Sequence, residues 1–215
     1  LLPLASFAWE ALDEPAREGL IEGFADGVNL VAAQGRNRRP RPWMIHGATG
    51  RYGNEYLGRA RVAYLGLGAL ATDEAVYAAA HFDAQQQPLD GRQRYVMQFE
   101  AGELPPVDAF WSVTLYDGLR PQGLQFTIID DNNDGIRFLY GNEIQRHSIG
   151  DRTPGLHHAA DGSLRLEIGH QRPADTRNWL PAPAGRFYLI LRMYHPREGF
   201  RDWRIPELQP LKDQP

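Results

Sequence analysis

Apolar residues recur at helical spacing along the first third of the chain and in short alternating runs along the rest. Leu20, Phe24, Val28 and Val31 fall on one stripe of a helix. Asp13, Glu14 and Pro15 supply its start, an N-cap side chain followed by a proline that the first turn tolerates, and the pattern fades near residue 33. Gly19, Gly23 and Gly27 run along the same helix, each costing about 1 kcal/mol relative to alanine. Such a row lets another helix or backbone approach closely. A second helical pattern covers residues 54–67, with Tyr56, Ala60, Tyr64 and Leu67 on one face. From residue 76 the period becomes that of strands, predicted over 76–82, 95–99, 109–116, 124–129, 136–140, 164–170 and 187–194. Pro88-Leu89-Asp90-Gly91 predicts a hairpin between the first two, and Asp161-Gly162 introduces the sixth. Short strands without intervening helices predict a mainly β protein, an antiparallel jelly-roll β-sandwich preceded by a small helical region. Residues 1–72 form that helical region, docked on a sandwich of residues 73–205, and residues 206–215 form an extended surface tail.

Composition supports the turn-rich reading and removes several functions. The 22 glycines and 16 prolines among 215 residues exceed ordinary usage, as a β fold with many turns requires. The 23 basic and 27 acidic side chains sum to −4, too balanced for a protein held on nucleic acid mainly by charge. The four arginines of residues 35–42 (GRNRRPRP) are broken by prolines and lack interleaved aromatics, so a solvated linker is expected there. No apolar run approaches the roughly 20 residues that a membrane helix needs. The absence of cysteine excludes disulfides, thiolate nucleophiles and thiolate-held zinc or iron–sulfur centres. A cysteine-free chain suits the cytoplasm and the periplasm equally.

The wording of the predicted strands and turns carries a family resemblance. Residues 50–57 (GRYGNEYL), 88–91 (PLDG), 104–112 (LPPVDAFWS), 115–117 (LYD), 148–152 (SIGDR), 161–164 (DGSL) and 178–183 (NWLPAP) occur in an order that resembles the DUF1254/DUF1214 family of uncharacterised bacterial proteins. The resemblance covers about residues 51–196 and matches the C-terminal DUF1214 part. It implies a jelly roll preceded by a small helical region, and it implies no chemistry. Two departures stand out. Residues 118–134 are an insertion, and the family's Asn-Pro-x-Asn-Arg-Tyr becomes Asn142-Glu143-Ile144-Gln145-Arg146-His147.

Within this frame a few constellations could carry chemistry. Asp130, Asn132 and Asp134, followed by Gly135, match the start of a calcium loop, in which hard oxygen ligands alternate before a sharp turn. The twelfth position is Gly141 rather than a bidentate carboxylate, so an Asx-rich hairpin turn competes with Ca²⁺ binding. The seven histidines include no H-E-x-x-H, and a metal site would have to join His81 and His170 from separate strands with Asp117 or Glu167. His170 alternates with Leu164, Leu166 and Ile168, which predicts a mostly buried imidazole needing a partner, and it matches a histidine of the family. Gly47 to Gly53 lacks the strand and the Gly-Lys-Ser/Thr of a phosphate loop and reads as the turn into the second helix.

Aromatic faces that stack on sugar rings, with paired carboxylates for acid and base, make a carbohydrate or other small molecule the natural partner of a jelly roll. Trp111, Tyr116, Arg146, His170 and Trp179 are the binding candidates, with Tyr188, Arg192 and Tyr194 sharing one face of the last strand. Asp117, Asp151 and His170 are the catalytic candidates. Two other readings stay open: a structural or assembly protein, including a homo-oligomer, in which these residues serve packing, and a metal-dependent enzyme with strand histidines as ligands. Nothing in the residues decides whether the chain is an enzyme, and no cofactor is expected beyond calcium.

Overall fold

The structure, a computed structural model, describes residues 7–32, 41–45, 49–117 and 139–211. The predicted strand 124–129, most of 136–140 and the calcium-loop candidates Asp130, Asn132 and Asp134 lie outside the described residues. Helix α1 spans Glu14–Ala32 and α2 spans Tyr56–Gly66, close to both expectations. Asp13 caps α1 as its sequence position implies, its Oδ1 accepting the Ala16 N–H at 2.9 Å.

The strands are β1 (Met44–Ile45), β2 (Ala75–Ala80), β3 (Tyr95–Phe99), β4 (Val107–Asp117), β5 (Ser148–Gly150), β6 (Leu164–Gly169), β7 (Trp179–Pro181), β8 (Phe187–Pro196) and β9 (Gln209–Pro210). They form a five-stranded sheet in the order β1-β2-β8-β4-β5 and a four-stranded sheet in the order β7-β6-β3-β9. The first sheet is antiparallel throughout; the second pairs β6 with β7 in parallel, so the all-antiparallel expectation is corrected there. The cause is the loop of residues 170–178, which carries the chain back past the end of β6 so that Trp179 pairs with Glu167. Asn178 holds that return, donating its side-chain N–H groups to the His157 and Arg165 carbonyls.

Period-two alternation makes one side of each sheet apolar, and the two apolar sides share one core. Val76, Ala78 and Ala80 of β2, Met97 and Phe99 of β3, Trp111, Val113 and Leu115 of β4, Leu164, Leu166 and Ile168 of β6 and Leu189, Leu191 and Met193 of β8 form a single buried cluster. Aromatic contacts cross between the sheets, Phe99 on Trp111 at 5.3 Å and Tyr95 on Phe187 at 6.0 Å between centroids.

Three other expectations change. Pro88-Leu89-Asp90-Gly91 is no hairpin between paired strands, because β2 and β3 belong to different sheets. The segment crosses between them, and Leu89 is buried in the core on the way. The tight reversal lies earlier, where Asp83 accepts the Gln85 and Gln87 amides. The tail is drawn into the fold, with Leu208 in the core and Gln209–Pro210 paired to β3. Finally, α1 packs against α2, and the first half of its apolar stripe is exposed, Leu20 by 46% and Phe24 by 67%, while Val28 and Val31 are half-buried. Nothing among the described residues approaches Gly19, Gly23 or Gly27.

Close approach makes glycine indispensable at residue 150, as it does at residue 91 against the Pro183 carbonyl. A Cβ at Gly150 would collide with the Trp111 carbonyl across the β4–β5 pairing, where backbone has no room to yield. Gly150→Ala is expected to destabilise the fold by about 2 kcal/mol, read as a lower midpoint in urea unfolding; an unchanged midpoint would contradict the tight β4–β5 packing.

Candidate functional site

A cleft of about 580 Å³ opens where the four-stranded sheet meets the chain entering β5, lined by Tyr140, Asn142, Glu143, His170, Arg172, Trp179 and neighbouring backbone. Its volume falls within the range of small-molecule sites. β7 supplies the base. Trp179 is 3% exposed, with its indole N–H donated to the Gly169 carbonyl at 3.0 Å, so the ring is fixed against the sheet.

One wall is the loop of residues 140–147, built on Asn142. Its side-chain oxygen accepts the Arg146 N–H at 2.9 Å, and its amide nitrogen donates to the carbonyls of Arg146 at 2.8 Å and Tyr140 at 3.1 Å. The loop closes tightly enough to put Gln145 at φ 50°, a left-handed conformation that a non-glycine residue adopts only when neighbours hold it. His147 adds a ring contact, Nδ1 lying 2.9 Å from the Tyr140 carbonyl.

The opposite wall is the 170–178 loop, and Arg146 ties the two together. Its Nη1 donates to the carbonyls of Thr176 at 2.6 Å, Arg177 at 3.0 Å and Trp179 at 2.9 Å. Burial holds the guanidinium below the usual arginine range, because desolvation disfavours its charge. Arg146 therefore acts on the cleft from behind, through backbone. At the mouth a second arginine spans the walls directly, Arg172 Nη1 reaching Glu143 Oε1 at 2.8 Å with both side chains more than half exposed.

The other sequence candidates scatter. His170 and Trp179 meet at the cleft, but the imidazole is exposed rather than buried, because β6 ends at Gly169 and residue 170 turns outward. Its Nδ1 lies 3.1 Å from the Ala182 carbonyl. Trp111 is a core residue, 2% exposed. Tyr116 sits on the outer face of the five-stranded sheet, stacked on Tyr188 at 5.2 Å and accepting a hydrogen bond from Arg192 at 2.7 Å. His81 stacks on the far side of Tyr188 at 5.1 Å, away from Glu167, which Arg94 engages in the other sheet at 3.0 Å. The proposed histidine–carboxylate metal set is thus not assembled; among the described residues no three His, Asp or Glu side chains gather for a metal.

The hydrolytic pair also fails on geometry. Asp151 accepts the Trp111 N–H at 3.2 Å, while Asp117 lies six residues further along β4. That is about 20 Å along the strand, whereas glycosidase carboxylates stand about 5–10 Å apart. Tyr140, Glu143 and Arg172 are cleft residues that the sequence reading missed. The retained Asn142 and Arg146 were the signal for the first two, since they mark a built loop. Nothing local marked Arg172.

A mainly β protein of two packed sheets, with a cleft of small-molecule size at one end, is the class that fold and site define. The chain belongs to the family described as "Protein of unknown function (DUF1214)", whose model matches residues 74–198. Among solved structures it is similar to the VPA0106 protein of Vibrio parahaemolyticus, at 28% identity and a TM-score of 0.59 over 96% of this chain and 47% of that one. It also matches an uncharacterized protein from Burkholderia cenocepacia, at 17% identity and a TM-score of 0.44 over 96% of this chain and 46% of that one. The chain therefore spans about half the length of these relatives. No curated protein is significantly similar. Among the described residues no helix is long and apolar enough to cross a membrane.

The 170–178 loop carries its own titrating marker. Arg177 holds the Asp175 carboxyl down to about 2 through side-chain and backbone hydrogen bonds. A depressed carboxylate contributes stability above its unfolded value, near 3.9, and loses it as the pH falls through the folded value. Carbon-detected NMR titration is expected to place the Asp175 midpoint at about 2 and to return it toward 3.8 in Arg177→Ala. An identical midpoint in both proteins would show that this pair does not shape the loop.

Proposed function

We propose that the protein binds a small polar molecule in the cleft between the 140–147 and 170–178 loops. The observation that carries this reading is the way the walls are held. Arg146 Nη1 and the Asn142 side chain make six hydrogen bonds to backbone, which fix two loops around an open volume. Loops fixed in this way, with exposed polar side chains left at the rim, are preorganised for a ligand. His170, Arg172 and Glu143 are the rim groups free to exchange protein or water contacts for ligand contacts.

The two-sheet fold supports a jelly-roll reading, since the chain passes from one sheet to the other between β2 and β3, β3 and β4, β5 and β6, β7 and β8, and β8 and β9. A sugar is the ligand class such folds favour. Here, however, the near-complete burial of Trp179 leaves Tyr140 as the cleft aromatic with accessible surface. The lining accordingly favours a compact molecule over a polysaccharide laid across a row of rings.

Ligand-observed NMR against monosaccharides, sugar acids, amino acids and aromatic acids tests the proposal. Binders are expected, and His170→Ala combined with Tyr140→Ala should weaken them at least tenfold while leaving the unfolding free energy within about 1 kcal/mol of the parent. Absence of any binder, or binding indifferent to both substitutions, would overturn it.

A further inference from the structure

We infer that the ligand of this cleft is a small carboxylate with an apolar body, taken up by exchange for Glu143 on Arg172. The inference rests on the binding reading above and adds the charge and shape of what binds.

The charge argument begins with two guanidinium groups against one carboxylate. Arg146 is tied to three carbonyls, and no carboxylate pairs with it among the described residues, so its full positive charge stands behind the Trp179 base. Arg172 at the mouth is matched, among the described residues, by Glu143. The other acid of the 170–178 loop, Asp175, is neutralised within the loop by Arg177 at 2.7 Å. The walls thus carry a net positive charge although the whole chain carries −4. An excess of fixed positive charge at a partly desolvated surface selects an anion.

Arg172 is the group placed to receive it. The contact to Glu143 is a single hydrogen bond through Nη1, with the two side chains 56% and 55% exposed. Such a pair is worth little by itself, because water screens it and both side chains lose freedom to form it. A ligand carboxylate deeper in the cleft can bind the guanidinium in the two-pronged arrangement that Glu143 does not make here. Glu143 then swings back into solvent at small cost. His170 limits the geometry, since its Nδ1 is turned to the Ala182 carbonyl and only its Nε2 edge remains for the ligand.

Shape follows from the base and the remaining wall. Trp179, Pro181 and Ala182 form a buried apolar base, and Tyr140 beside them gives the cleft its accessible aromatic surface. A carboxylate with a ring or short apolar body covers this surface while its charged end reaches Arg172.

The test uses benzoate and its neutral counterpart benzamide on the ¹⁵N-labelled full chain at constant ionic strength. The Trp179 Nε1–H and Arg172 Nε–H resonances are followed to tens of millimolar. Benzoate is expected to produce saturable shifts at both, at least tenfold tighter than benzamide. Arg172→Gln should abolish that preference. Glu143→Gln should tighten benzoate several-fold by removing the internal competitor, an effect that a purely structural ion pair would not give. Equal binding of the two probes would overturn the inference and leave the cleft reading standing. No shift from either would overturn the inference, and a negative ligand screen alongside it would overturn the cleft reading as well. A benzoate preference that survives Arg172→Gln would place the anion elsewhere and also overturn the inference.

Discussion

The architecture around the cleft depends on three backbone carbonyls that one side chain of the neighbouring loop gathers. Folding β7 parallel to β6 requires the chain to double back over residues 170–178, and such a return leaves the carbonyls of Thr176, Arg177 and Trp179 without ladder partners on that side. The Thr176 carbonyl also accepts the Trp179 N–H at 3.3 Å and Arg177 lies exposed, so each bond that a donor adds here contributes about 0.5–1.5 kcal/mol. One guanidinium satisfies all three, and because it belongs to the 140–147 loop it brings that loop against β7. The cleft is the space left between the two segments.

The core beneath supplies the rigidity. β4 and β8 pair along most of their length in the five-stranded sheet, while β3 and β6 do so in the other, and their inward faces share one apolar cluster. β7 is fastened to this framework through Leu180, which belongs to the core, and through the Trp179 indole bonded to Gly169. A ligand at the cleft therefore meets a base that cannot shift without disturbing β6 and a rim of exposed side chains that can.

Local patterning made much of the fold legible. Alternation located β2, β3, β4, β6 and β8 to within a few residues, because each is long enough to show its period. It missed β1, β5, β7 and β9, which span two or three residues each and exist only through their partners. The hairpin expected at Pro88-Leu89-Asp90-Gly91 failed for a related reason. Turn chemistry reports that the chain bends, whereas the sheet each flank joins is settled by long-range pairing. At the site, His170 and Trp179 were recognisable as candidates and do meet at the cleft, whereas Tyr116, Trp111 and Asp151 were drawn from the same kinds of residue and lie elsewhere. Arg146 was expected to touch a ligand and touches backbone instead. Sequence shows that an arginine is present; only the fold shows three carbonyls waiting for it.

The central claim is that Arg146 couples the two walls, and hydrogen–deuterium exchange on Arg146→Met measures that coupling directly. The account predicts faster exchange in residues 140–147 and 170–181 together, with protection in β3, β4, β6 and β8 retained. Loosening of one loop alone, or no change in either, would contradict it.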